Sequence, residues 1–192
     1  MPQKLFAVCR EGLYHDVTVE DYAAIYGEYE DGASMQFITT TGEYPGTNRL
    51  EIVGERGKLV LEEGKLVFYR LSASEGDVRF SSDESMPKIP CTVEEYRQEE
   101  PERAHCGILE NFTDAILDGS PLLADGREGR FQLMLTNAAY LSAFTNTWVS
   151  LPFDEDLFDQ LYNEKRKSEK EKKPSAVSGE GKDDLSRWKV NW

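Results

Sequence analysis

The feature that most constrains this chain is a single change of period. Up to about residue 80 the apolar residues recur as in strands, and from residue 108 they recur at steps of three and four, as on helices. Parallel βαβ units would alternate the two kinds of element along the chain. The predicted fold is therefore α+β: a largely antiparallel, open-faced sheet with two to three helices on one face.

The strand half carries its own punctuation. The run 22–30 meets Asp31-Gly32, a dipeptide suited to a two-residue hairpin, and Ala33, Met35, Phe37 and Thr39 then alternate with Ser34, Gln36 and Ile38. Residues 48–53 and 58–61 flank Gly54-Glu-Arg-Gly57, and Glu62-Glu-Gly64 turns the chain into 65–70. Residues 81–102 read as a weakly patterned acidic connection.

In the helical half, Ile108, Leu109, Phe112, Ala115 and Ile116 form a stripe that Gly119 and Pro121 stop. A second helix is expected over about 126–144, with Phe131, Met134, Leu135, Ala138 and Leu141 inward. Trp148-Val-Ser-Leu reads as one more strand, and Asp154-Glu-Asp favours the start of a third helix. The resulting division is a folded domain over 1–162 and a charged helix end and tail over 163–192, which is too polar to bury a core. Trp188 and Trp192 are the tail's exceptions, large aromatics that favour docking over exposure.

Composition excludes some function classes. A net charge of −14 argues against nucleic acid, because phosphate binding needs a surplus of Lys and Arg. No window approaches the roughly 18 apolar residues of a membrane span, and no signal peptide is evident. Cys9, Cys91 and Cys106 are widely spaced, which suits a reducing cytoplasm and no metal site. A Gly-x-Gly-x-x-Gly phosphate turn is absent, so no cofactor is expected to bind this chain by itself.

Several polar groups admit two readings. His15, beside Tyr14 and Asp16, suits hydrogen bonding to a polyol, or is simply a loop histidine held by Asp16. Glu43, Tyr44, Asn48 and Arg49 surround the Pro45-Gly46 turn, where loops braced by strands often carry binding residues. The plain alternative makes Pro45-Gly46 a turn and pairs Arg49 with a strand carboxylate. His105-Cys106 is read as helix-start packing, Asp154 to Asp156 as capping and Lys165 to Lys173 as a solvated helix end.

Five patches in order resemble the second domain of the Gfo/Idh/MocA oxidoreductases, the glucose-fructose oxidoreductase and inositol dehydrogenase family. They are Tyr14-His-Asp-Val-Thr-Val-Glu-Asp21, Tyr29-Glu-Asp-Gly-Ala33, Asn48-Arg-Leu-Glu-Ile-Val-Gly-Glu-Arg-Gly-Lys58, the helices over 107–121 and 137–143, and Trp148-Val-Ser-Leu-Pro152. The resemblance implies a substrate-binding and oligomerisation domain of an NAD(P)-dependent enzyme acting on a sugar, inositol or related polyol. It further implies a homo-oligomer through the open sheet face and a Rossmann domain, upstream of Met1, that carries NAD or NADP and the catalytic lysine. His15, Glu43, Tyr44, Asn48 and Arg49 become substrate-binding candidates, with no catalytic residue in this chain. A free-standing, non-catalytic binding or scaffold protein on the same fold is the alternative.

Overall fold

The structure, a computed structural model, describes residues 1–97 and 103–168. The expectations for Trp188, Trp192 and the tail beyond Ser168 lie outside the described residues. Two compact units are present, one from Met1–Thr39 with Met134–Trp192 and one from Thr40–Leu133. The α+β class holds, and the strands divide into two antiparallel sheets of four. Gly42, Pro45 and Gly46 interrupt pairing where the chain passes from one sheet to the other.

The first unit holds strands β1 (Lys4–Glu11), β2 (Glu20–Glu28), β3 (Ser34–Thr40) and, late in the chain, β8 (Val149–Ser150), in the order β3-β2-β1-β8. The β2–β3 connection follows the expected Asp31-Gly32 signal but has three loop residues rather than two. Tyr29 N–H donates to Ala33 O at 2.9 Å, Ala33 N–H to the Asp31 carboxylate at 3.1 Å, and Gly32 takes the left-handed φ of 85° that a side chain would resist.

Alternation puts Leu5 and Ala7 of β1 on one face, where they meet Ala138, Ala139 and Leu141 of α3 (Gly129–Thr145), Val149 of β8 and Phe158 of α4 (Glu155–Ser168). That cluster is the core. Since β8 pairs only with Lys4 and Leu5, Ala7 N–H lies beyond its reach and donates to Ser142 Oγ of α3 at 2.9 Å. Ser142 in turn donates to Thr147 O at 2.7 Å, so a fully buried hydroxyl is satisfied twice. Asp154 begins α4 as expected, its carboxylate accepting Leu157 N–H at 3.0 Å.

On the opposite face of β1 and β2, Phe6 and Tyr26 are cross-strand partners and both pack on Trp148, with ring centroids 6.0 and 5.9 Å away. Lys4 Nζ sits 4.7 Å from the Trp148 ring centroid.

The second unit is the sheet β4 (Arg49–Gly54), β5 (Gly57–Glu62), β6 (Lys65–Leu71) and β7 (Cys91–Arg97), paired in chain order, with helices α1 (Glu75–Ser81) and α2 (Ala104–Asp118). Gly57, at φ 145°, is needed for a close approach: a Cβ there would lie 2.1 Å from Tyr69 O. The predicted α2 stop is present, with Gly119 at φ 72°.

Two elements depart from the sequence reading. The strand-like stretch does not continue to Phe80: residues 75–81 are α1, begun by Ser74, whose hydroxyl accepts Asp77 N–H. The acidic connection contains β7, whose charged residues mask its alternation and which Arg70–Glu94 and Lys65–Glu95 pairs fasten to β6.

Candidate functional site

The first unit contains a loop built around one carboxylate. Asp21, near the start of β2, is 4% exposed and accepts the backbone N–H groups of Leu13, Tyr14 and His15 at 3.0, 2.6 and 2.9 Å. Burial pushes its carboxyl up, but the donors from Tyr14, Leu13 and His15 outweigh that and hold it below the usual carboxylate range. His15 Nδ1 lies 3.6 Å from Asp21 Oδ2, which brings the histidine to a buried carboxylate six residues on. His15 and Tyr14 are left half-exposed on a braced loop.

Next to this loop a cavity of about 290 Å³ opens between β1, β2, α3 and α4. Two polar pairs stand in its lining. The Tyr140 hydroxyl donates to Glu20, and Lys165 pairs with Glu11. Lys165 Nζ is also 5.2 Å from the Phe144 ring, which stacks on Tyr140 at 6.0 Å. Burial first, and then the Glu20 carboxylate, push the Tyr140 phenol well above its usual range, so it holds its proton and acts as a donor. Cys9 borders the same space, its thiol pushed up by burial and by Glu20.

The sequence reading missed this group. Tyr140 and Phe144 are visible as an i, i+4 aromatic pair, but Tyr140 and Glu20 are 120 residues apart and nothing local joins them.

The remaining candidates belong to the second unit. Glu43 accepts the Thr47 hydroxyl at 2.6 Å across the Pro45 turn, Tyr44 is 98% exposed, and Asn48 leads into β4. Arg49 pairs with Glu62 at 2.6 Å and Glu51 at 2.7 Å, and Lys58 reaches Glu51 at 3.1 Å. Arg49, Glu62, Lys65 and Arg97 also border a shallow basin of about 540 Å³ over Val60 and Val67. Four candidates thus share one connection and strand start, while His15 sits in the other unit.

Among the described residues no group of three His, Cys, Asp or Glu side chains is placed to hold a metal ion, and no helix is long and apolar enough to cross a membrane. The dinucleotide cradle is a glycine-rich turn from a parallel strand into a helix. Here the glycine-bearing turns at 54–57 and 62–65 join antiparallel strands, so these residues do not fit a nicotinamide dinucleotide.

The profile described as "Oxidoreductase family, C-terminal alpha/beta domain" matches residues 2–151. The chain belongs to the Gfo/Idh/MocA oxidoreductase family. What matches is that family's C-terminal domain. Among solved structures, levoglucosan dehydrogenase in complex with NADH and L-sorbose is similar at 16% identity and a TM-score of 0.58, over 80% of this chain and 45% of that one. An oxidoreductase domain protein from Kribbella flavida is similar at 15% identity and a TM-score of 0.58, over 78% and 44%. An oxidoreductase from Agrobacterium radiobacter, in complex with NAD+, L-tartaric acid and magnesium, is similar at 18% identity and a TM-score of 0.54, over 78% and 43%. The chain spans less than half the length of these proteins. At such identities the likeness establishes the fold. No curated protein sequence matches the chain.

Proposed function

We propose that this chain is the substrate-binding and oligomerisation domain of an NAD(P)-dependent oxidoreductase acting on a sugar, an inositol or a related polyol. The observation that carries the reading is the family match over residues 2–151. Solved relatives whose complexes contain NADH with L-sorbose, or NAD+ with L-tartaric acid, support the reaction class.

In this reading the hydride chemistry and the general acid and base belong to a nucleotide-binding domain that carries NAD or NADP. This chain supplies one wall of the substrate cleft. His15, braced through Asp21, in the first unit, and separately Glu43, Tyr44, Asn48 and Arg49 in the second, are each candidates to offer donors and acceptors to hydroxyl groups. The aromatic face formed by Phe6, Tyr26 and Trp148 supports association of copies through the sheet, because apolar patches on soluble proteins commonly mark interfaces. The free cysteines support a reducing compartment such as the cytoplasm.

The test is isolation of the tagged chain from its own host under native conditions. The expected isolate includes a nucleotide-binding polypeptide, joined to the chain or bound to it, and reduces NAD or NADP with at least one member of a sugar and polyol panel. An isolate with neither property overturns the reading and favours a non-catalytic scaffold.

A further inference from the structure

We infer that the segment Trp188-Lys-Val-Asn-Trp192 docks on its own chain, in the apolar groove where α3, β8 and the start of α4 meet. This surface and its occupant are independent of the substrate and cofactor reading above.

The groove lies within the first unit. Trp148, Val149, Pro152, Phe153 and Leu157 give it an apolar lining, and of these Trp148 and Leu157 are exposed. An indole and a leucine left to water so close together favour a cover.

Three properties of the sequence beyond Ser168 choose what covers it. The first is pattern. Trp188, Val190 and Trp192 alternate with Arg187, Lys189 and Asn191, so an extended backbone would put the three apolar side chains on one side. The second is reach. Helix α4 has 14 residues and is therefore about 20 Å long, and the groove lies at its start. Residues 169–187 can span up to roughly 60 Å, so the segment returns to the groove with slack. The cost of closing such a loop grows only with the logarithm of its length, while two indoles bring a large apolar area to the contact.

The third is charge. Asp154, Glu155 and Asp156 stand at the α4 rim of the groove, and the helix dipole offsets only part of their charge. Asp154 gives one carboxylate oxygen to Leu157 N–H, and Glu155 and Asp156 are exposed. Arg187 and Lys189 are long enough to reach such a rim while the indoles beside them sit in the groove. Two other hollows suit a cationic segment less. The basin over Val60 and Val67 sets Arg49, Lys65 and Arg97 against Glu62 and Glu63, and the cavity beside Tyr140 balances Glu11 and Glu20 with Lys165 and Arg166.

The test uses the full chain labelled with 5-fluorotryptophan, so that each of its three tryptophans reports separately by fluorine NMR. Exposure of Trp148 is read as relaxation by a soluble gadolinium chelate. Trp188→Ala combined with Trp192→Ala should move the Trp148 resonance and remove its protection from the chelate. Arg187→Glu with Lys189→Glu should lower the docked-to-free ratio about twofold to fivefold per lost pair, as exposed ion pairs do. Adding Glu155→Lys with Asp156→Lys to that chain should restore the ratio.

A Trp148 signal that ignores the tail variants overturns the docking. A difference between wild type and variant that fades on dilution overturns the own-chain occupant in favour of a second copy. A charge swap that restores nothing overturns the groove as the seat.

Discussion

The two units are held together by different physics. In the first, Leu5, Ala7, Ala138, Ala139, Leu141, Val149 and Phe158 form one buried cluster, whereas among the described residues of the second only Val60 is a buried hydrophobic. The second unit instead relies on strand ladders and exposed ion pairs such as Arg49–Glu62, Lys65–Glu95 and Arg70–Glu94. Exposed pairs contribute little because water screens them, whereas truncating a buried leucine costs about 2 to 5 kcal/mol. The contrast teaches that stability and surface chemistry are segregated: one unit anchors, and the other presents polar groups on a lightly stabilised sheet.

Truncating the anchor should have the largest effect. Leu5→Ala is expected to destabilise the chain by about 3 to 4 kcal/mol in denaturant unfolding. A loss below 1 kcal/mol would break the contrast, since Leu5 is fully buried at the centre of the cluster.

Ser142→Ala comes next, at about 1 to 3 kcal/mol, because it strands the buried Ala7 N–H. Restoration by Ser142→Thr, which keeps the hydroxyl, would separate the lost hydrogen bond from altered packing.

Hydrogen exchange sharpens the comparison directly. Amides of β5 and β6 should exchange faster than those of β1 and β2, by at least about tenfold, if the second unit opens locally without the first. Equal protection would mean that the two units unfold together.

The smallest effect concerns acid. Arg70 first, and then Tyr96, hold the exposed Glu94 carboxyl from its ordinary 4.5 down to about 2. A depressed carboxyl stabilises the fold above its unfolded value, and that contribution is lost as pH falls from about 4.5 through about 2. Glu94→Gln should flatten the acid response of the second unit over that window, weakly, because solvent screens the pair.

Much of the fold was legible because its signals are local. Asp31-Gly32, Gly54-Glu-Arg-Gly57, the Gly119 and Pro121 stop and Asp154 each act within a few residues of the geometry they impose. Strand β7 was hidden because its partners on β6, and not its own alternation, decide its conformation. The site was harder still. Ser142 finds Ala7 across 135 positions and Tyr140 finds Glu20 across 120, separations over which no period or motif carries information. Asp21 lies only six to eight residues from the amides it accepts, yet no motif marks it, because the loop must fold back for Leu13, Tyr14 and His15 to reach one carboxylate.

The brevity of β8 has a consequence for how copies of this chain meet. A two-residue lateral strand leaves the flank of β1 uncovered from Ala7 onward, and an uncovered flank is a template for stitching a foreign chain into the sheet. The Ser142 hydroxyl meets that flank from a helix, so the first amide there, that of Ala7, is already engaged. One oxygen thus removes one amide from the pairing edge of the very sheet that is proposed to carry an ordered, face-to-face assembly.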